Sequence, residues 1–309
     1  MAVIYPLAMT VDERSPSPEG LTAFFYAGAS TRAELLKAHP DFHNLLGWEK
    51  AWDERAAEAD FLSPASPYFH LKALSTAAYL RWLTPHLAAL PPEAAALDAG
   101  CGVGRFARIL ADRCARVVAF DPSRGALAVC ARRLAAEKCS NVELHLADLT
   151  WLDELPPASF DAAFAIETLS YVAEPDAALR RIVRVVKPGG LIAISVEGGP
   201  GGLAVGGAND PRELLAACRG EPLVRPGERW VRYFDRPRLA ALLAGGGLAG
   251  AEIVGSHYFG EGPFWQAIDD ARLADPAYVD AVLAAEDACR ADPVIAPWAR
   301  VFAAAGRRP

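Results

Sequence analysis

Between residues 95 and 197 the chain alternates short apolar runs with stretches of helical period, and this alternation restricts its fold more than any other feature. Residues 95–99 (AALDA), 116–120 (RVVAF), 142–147, 160–166 and 191–196 read as strands, most of them near-continuous apolar runs. Strands of that kind belong in a sheet covered on both faces. The stretches 103–114, 123–138 and 176–186 carry the 3.6-residue period of helices. Ser123 is placed to cap the second of these, and Pro188-Gly189-Gly190 to stop the third. Strand, helix and strand in succession imply right-handed crossovers and a parallel sheet. A helix at 237–244, a strand at 251–256, a helix at 278–290 and a last strand at 299–305 extend the pattern.

The flanks read differently. Residues 1–94 hold helical stretches (32–38, 45–59 and 71–90) broken by prolines and no clear strand, as expected of a helical N-terminal extension or cap on a domain spanning 95–309. The run GGPGGLAVGG at 198–207 reads as a mobile glycine-rich loop that opens a substrate-side insertion reaching residue 235. Hydrophobic residues make up 52% of the 309, which excludes general disorder. A net charge of −7 argues against a broad basic nucleic-acid surface. The six cysteines form no CxxC pair and no Cys/His cluster of ligand spacing, so reduced core thiols and no metal site are expected. No run of 18 apolar residues occurs, and the apolar start (1–10) lacks a basic segment, so a cytoplasmic protein without a membrane span or signal peptide is expected.

The first strand runs into Asp98-Ala99-Gly100-Cys101-Gly102-Val103-Gly104-Arg105 and then a helix. Alternate glycines allow a tight turn and a close approach of ligand to backbone. Gly102 to Ala107 also fits the G-x-G-x-x-A of dinucleotide-binding turns. An acid at Asp98 would repel a pyrophosphate, however, and two more acids, Asp121 and Asp148, close the second and third strands. Ligands of open parallel sheets lie outside the carboxyl ends of the strands, where these three acids favour a cation.

The successive segments ALDAGCGVGRFARIL, VVAFDPS, HLADL, FDAAFAIETLSYVAEP and VVKPGGLIAISV resemble, in order and spacing, the motifs of class I S-adenosylmethionine-dependent methyltransferases. The likeness extends to ubiquinone- and menaquinone-type enzymes and their natural-product relatives. It implies a Rossmann-like, doubly wound sheet of seven strands whose last, at 299–305, is antiparallel with 251–256 beside it. It implies that Gly100, Gly102 and Gly104 form the turn beside the methionine part of S-adenosylmethionine, with Asp98 as that motif's leading acid. Asp121 would accept both ribose hydroxyls, Asp148 would bond the adenine amino group, Leu149 would give a backbone N–H, and Ala165 would offer its carbonyl to the ammonium group.

Methyl transfer asks mainly for proximity and alignment, with a base only for some nucleophiles. His257, following the strand at 251–256, is a candidate base, and His70 and Tyr68 are candidates in a segment expected to close over the cofactor. Glu167, Tyr258, Arg232 and Tyr233 are candidate substrate contacts, with Arg229 and Arg232 able to hold a carboxylate. The leading expectation is methyl transfer to an oxygen, nitrogen or carbon of a small molecule, leaving S-adenosylhomocysteine. An RNA or protein methyltransferase, a non-methylating protein that binds the same cofactor, and a nicotinamide oxidoreductase are the alternatives. Nothing in the sequence bears on oligomeric state.

Overall fold

The computed structural model describes residues 59–309 apart from 207–210 and 226–228. The helix at 32–38 and nearly all of that at 45–59 fall outside the described residues. Helix α1 (Phe69–Ala88) precedes the first strand. Then come β1 (Ala95–Ala99), α2 (Arg105–Ala111), β2 (Arg116–Asp121), α3 (Arg124–Ala136), β3 (Val142–Leu146), β4 (Phe160–Ala165), α4 (Pro175–Val185) and β5 (Val186–Glu197). The rest of the chain gives α5 (Gly199–Gly206), α6 (Pro211–Cys218), β6 (Leu223–Arg225), β7 (Arg229–Val231), α7 (Arg236–Gly245), β8 (Glu252–Ser256), α8 (Pro276–Ala291) and β9 (Val301–Arg307).

Seven strands form one sheet in the order β3-β2-β1-β4-β5-β9-β8, and β6 and β7 make a separate hairpin. β1 to β5 are mutually parallel, while β9 runs antiparallel to both its neighbours. The doubly wound sheet with an antiparallel final strand is the architecture expected from the motifs. Successive strand side chains serve opposite faces, as the two-residue period requires. Leu97, Ala99, Val118, Phe120, Ala163 and Ile192 pack on one face with Leu179 and Ile182 of α4 and Leu239 and Leu242 of α7. Ala96, Val117, Ala162, Phe164 and Ala193 pack on the other with Tyr79, Trp82 and Leu83 of α1 and Phe106 and Leu110 of α2. Each large side chain so buried contributes about 1.5–3 kcal/mol. α1 is thus part of the sheet's own covering layer.

Local chemistry explains the element starts. Ser123 caps α3 by accepting the Ala126 N–H at 3.2 Å, and Asp235 and Asp275 cap α7 and α8 ahead of a proline in the first turn. Pro188-Gly189-Gly190 does not merely stop α4. It lies inside β5, where the pairing with β4 shifts register between Phe160 and Ala162.

The expected mobile loop at 198–207 is a correction: Gly199–Gly206 is helical. A Cβ on Gly198 or Gly201 would overlap the backbone of Ala299 or Trp298, and one on Gly202 would overlap the ring of Tyr233. These glycines serve close packing against the segment before β9, not freedom of movement. The six cysteines are free thiols, with Cys101, Cys114, Cys130 and Cys289 buried, but Cys218 is exposed, contrary to a core role for all six. No helix among the described residues is long and apolar enough to cross a membrane.

Candidate functional site

β1 and β4 are neighbours in the sheet, yet the chain leaves them in opposite directions, to β2 and to β5. Such a reversal opens a crevice at the carboxyl ends of the strands. The glycine turn sits there. Gly100, Gly102 and Gly104 have φ of 77°, 53° and 88°, the left-handed region open to glycine. A Cβ on Gly100 would lie 2.5 Å from the Thr168 hydroxyl oxygen and one on Gly104 2.5 Å from the Cys130 sulfur, so both are packed against neighbours. A Cβ on Gly102 would meet nothing within 4 Å. The outer glycines let the turn close, and the middle one leaves a cradle.

Acids surround this cradle. Asp98 is 2% exposed, and its Oδ2 has no hydrogen-bond partner. Burial, reinforced by the nearby Asp121 charge, pushes its carboxyl up to about 7. A buried carboxyl in that state is strongly stabilised by an arriving cation. Asp121 ends β2 and accepts the Gly102 N–H on Oδ2 and the Ser123 N–H on Oδ1, both at 2.8 Å, so it ties the turn to the next strand. Asp148, exposed after β3, accepts the Thr150 N–H at 2.8 Å and caps the short helical turn in which Leu149 is buried. Ala165 is the last residue of β4 and is buried. A buried carboxyl with one oxygen unpartnered, beside an open glycine cradle, fits a cationic cofactor. Among the described residues no group of three His, Cys, Asp or Glu side chains could hold a metal ion.

The chain that lies over the turn comes from residues 60–62. The Phe61 ring covers the Arg105 guanidinium at 4.8 Å, Phe61 and Leu62 pack on Val103, and Asp60 pairs with Arg133, which also donates to the Val103 carbonyl. The expectation for Tyr68 and His70 is corrected. Both are exposed at the start of α1, where the Tyr68 N–H donates to the Ser66 hydroxyl at 3.3 Å and the His70 ring lies 5.2 Å from that of Phe69.

A second polar group lies beyond β4, β5, β8 and before β9. Glu167 follows β4 with φ 56°, a strained conformation for a residue with a side chain. Its N–H is held by the Ser195 hydroxyl at 2.9 Å, and its carboxylate faces Arg105 at 3.8 Å and Arg300 at 3.5 Å. Burial alone would raise its pKa, but those two guanidinium groups hold it below the usual carboxylate range. Arg300 also pairs with Glu197 at the end of β5 (3.2 Å), which accepts the Tyr171 hydroxyl at 2.7 Å. Glu261 joins Lys72 and the Ser75 hydroxyl of α1.

His257 has φ 63° and is buried, with Nδ1 on the Ser256 hydroxyl at 3.0 Å, its ring 4.5 Å from that of Tyr79, and Nε2 without a partner. Burial drives its pKa down to about 4, so it is neutral near pH 7.

Three substrate candidates are corrected. Tyr258 is fully buried in the sheet core, its hydroxyl given to the Ala296 carbonyl at 3.1 Å. Arg232 donates to the carbonyls of Gly220 (3.3 Å) and Ala173 (3.2 Å) and is engaged in holding loops. Tyr233 packs with Ala217, Leu223 and Val231. The Arg229 side chain lies outside the described residues. The sequence reading missed Arg300, Glu197, Arg105, Lys72 and Glu261. Glu197, an acid closing an apolar strand as Asp121 does, was detectable by the same rule. Arg300 and Glu261 carry no local signal, because only the fold brings them to Glu167 and Lys72.

A family model described as a methyltransferase domain matches residues 97–194. A ubiquinone biosynthesis O-methyltransferase of Pseudomonas fluorescens (strain Pf-5) is 31% identical over 167 residues, covering 52% of this chain and 67% of that protein. A malonyl-[acyl-carrier protein] O-methyltransferase of Serratia marcescens is 37% identical over 99 residues, covering 32% and 36%. Among solved structures, a Haemonchus contortus phosphoethanolamine N-methyltransferase 2 in complex with S-adenosyl-L-methionine aligns with a TM-score of 0.53 at 19% identity, over 85% of this chain and 60% of that one. A Thermotoga maritima S-adenosylmethionine-dependent methyltransferase aligns with a TM-score of 0.50 at 15% identity, over 85% of this chain and 100% of that one. The structural likenesses carry the fold, and the sequence relatives, on the same stretch that bears the glycine turn and its acids, carry the family: the chain belongs to the class I S-adenosylmethionine-dependent methyltransferases.

Proposed function

We propose that the protein transfers a methyl group to the oxygen, nitrogen or carbon of a small molecule, with the cofactor's amino-acid end at the glycine turn and the acceptor beside Glu167 and His257. The observation that carries this reading is the buried Asp98 carboxyl, whose Oδ2 has no partner, at the glycine turn beside the open Gly102 position and the crevice between β1 and β4. When bound, S-adenosylmethionine supplies an activated methyl on a sulfonium, so the protein has to orient rather than activate. Asp98 offsets positive charge at the turn. Asp121 stands at the carboxyl end of β2 next to the glycine turn, and the two oxygens of a carboxylate can accept from both hydroxyls of a ribose. The Leu149 backbone and Asp148 would hold the adenine end, and the Ala165 carbonyl would serve the ammonium end. Phe61 and Leu62 exclude water above the turn.

On the acceptor side, Glu167 is ionised and held between two arginines, and His257 is neutral with a free ring nitrogen. The Glu167 carboxylate favours an acceptor that donates a hydrogen bond, and the His257 ring nitrogen can pair with one that donates or accepts. The Pseudomonas fluorescens relative is by name an O-methyltransferase of ubiquinone biosynthesis, which supports a small-molecule acceptor over a nucleic acid. The test is incubation with methyl-labelled S-adenosylmethionine and fractionated metabolite pools. Label should enter low-molecular-weight hydroxylated or aminated compounds. Label confined to RNA or protein would contradict the reading.

A further inference from the structure

We propose that Arg105 receives the carboxylate of the cofactor's amino-acid end, and so selects S-adenosylmethionine over a ligand that lacks only that group. The proposal rests on the methyl-transfer reading and supplies a residue for the one charge of the cofactor that the acids leave unmatched. At that end S-adenosylmethionine carries a sulfonium, an ammonium and a carboxylate. Asp98 and the Ala165 carbonyl suit the two cationic groups, whereas a carboxylate brought out of water beside them needs a cation.

Arg105 opens α2 directly after the glycine turn, so Asp98 and Arg105 bracket the open Gly102 position in the sequence. It is a buried charge, 8% exposed. Glu167 Oε2 stands 3.8 Å from its Nη1, which balances the charge but lies beyond hydrogen-bond length. Among the described residues no hydrogen bond holds the guanidinium. The neighbouring cations are engaged. Arg300 reaches Glu167 at 3.5 Å and Glu197 at 3.2 Å, Lys72 pairs with Glu261, and Arg133 donates to Asp60 at 2.6 Å and to the Val103 carbonyl at 2.7 Å. A guanidinium has five N–H donors, and a buried charge is costly while its hydrogen bonds are unmade. The surface that Arg105 keeps open gives a ligand access to those donors.

The group is also held in plane. The Phe61 ring lies over it with its centroid at 4.8 Å, and the Phe106 ring at 5.8 Å. Stacking occupies the face of a guanidinium and leaves its edge, where the N–H groups lie, for hydrogen bonds. That edge is a fork that matches the two oxygens of a carboxylate, a match that an ammonium group does not make. Glu167 supplies compensating charge from a distance without filling the fork. Arg105 therefore stands where the glycine turn meets the ionic group beyond β4.

The test is isothermal calorimetry of the full chain with S-adenosylmethionine and with decarboxylated S-adenosylmethionine, which keeps the adenosine, the sulfonium and the ammonium. The wild type should bind S-adenosylmethionine at least about tenfold more tightly than the decarboxylated form. Arg105→Gln should bring the two affinities to within about threefold of each other, and Arg105→Lys should keep only part of the difference. A residue that merely steadied the turn would weaken both ligands alike and leave their ratio unchanged. Circular dichroism checks the fold of each variant, and if Arg105→Gln does not fold, the ratio in Arg105→Lys decides. Equal affinities in the wild type, or an undiminished ratio in either folded variant, would overturn the proposal. The two levels stay separable: if neither ligand nor S-adenosylhomocysteine binds the wild type, the methyltransferase reading falls and the proposal with it, whereas binding with equal affinities sinks only the Arg105 assignment.

Discussion

At the scale of residues, Asp98 holds the clearest consequence. Its pKa rises from 3.8 to about 7 in the fold, with burial as the main cause. A carboxyl raised in the folded state favours the protonated form, so its ionisation costs stability as pH climbs from about 4 to about 7, and that cost is absent below the lower value. A bound cation relieves the cost. Thermal stabilisation by S-adenosylmethionine should therefore grow between about pH 5 and about pH 7, and Asp98→Asn should flatten this growth and weaken binding by about tenfold, as expected for losing a hydrogen bond to a charged group. Equal pH dependence in both proteins, measured by melting with and without cofactor, would show that Asp98 does not meet the ligand. The same residue shows what was readable beforehand. Asp98, Asp121 and the glycines announce themselves because each sits where a strand meets a turn. His257 was picked out for its chemistry and its place after a strand, but its burial and low pKa follow from α1 packing over it. Tyr258 and Arg232 had the right chemistry for substrate contact, and the fold directs both elsewhere, because an adjacent position in sequence says nothing about which way a side chain turns at the end of a strand.

At the scale of elements, α5 separates a packing role for glycine from a flexible one. Alanine stabilises an exposed helix position by ~1 kcal/mol relative to glycine. At Gly201 the added methyl would press into the backbone of Trp298 and Ala299, and overpacking of that kind costs ~1–3 kcal/mol. Gly201→Ala should accordingly lower stability by ~1–2 kcal/mol in urea denaturation. A neutral or stabilising effect would restore the mobile-loop reading. Glycine-rich composition alone points to a loop, because the neighbours that demand glycine, 298–300, are about a hundred residues away in sequence. Most strands and helices of 95–197, by contrast, are legible in the sequence to within a few residues, β5 excepted, which starts at Val186 and takes in the Pro188-Gly189-Gly190 expected to precede it. Their period and caps are local, as the match of β1 and the Ser123 cap of α3 shows.

At the scale of the whole molecule, the sheet order gathers one anionic edge around β1 to β3 and one balanced ionic group around β4, β5, β8 and β9. In the second, Arg105, Arg300 and Lys72 face Glu167, Glu197 and Glu261. A buried group of paired charges is costly to assemble and more costly to break, so it fixes geometry rather than adding stability. The antiparallel β9 is essential to it, since Arg300 reaches Glu167 and Glu197 only because the last strand starts at the edge where the parallel strands end. On the proposed reading the two halves of the edge divide the work, the acids around β1 to β3 serving the cofactor and the fixed charges around Glu167 the acceptor. Isothermal calorimetry of S-adenosylmethionine, S-adenosylhomocysteine and NADH against the wild type and Asp121→Ala tests this division most directly. The account predicts saturable one-site binding of both methionine-derived ligands to the wild type, its loss or weakening by at least about tenfold in Asp121→Ala, and no binding of NADH. Binding of NADH in place of S-adenosylmethionine, or binding of S-adenosylmethionine indifferent to Asp121, would contradict it.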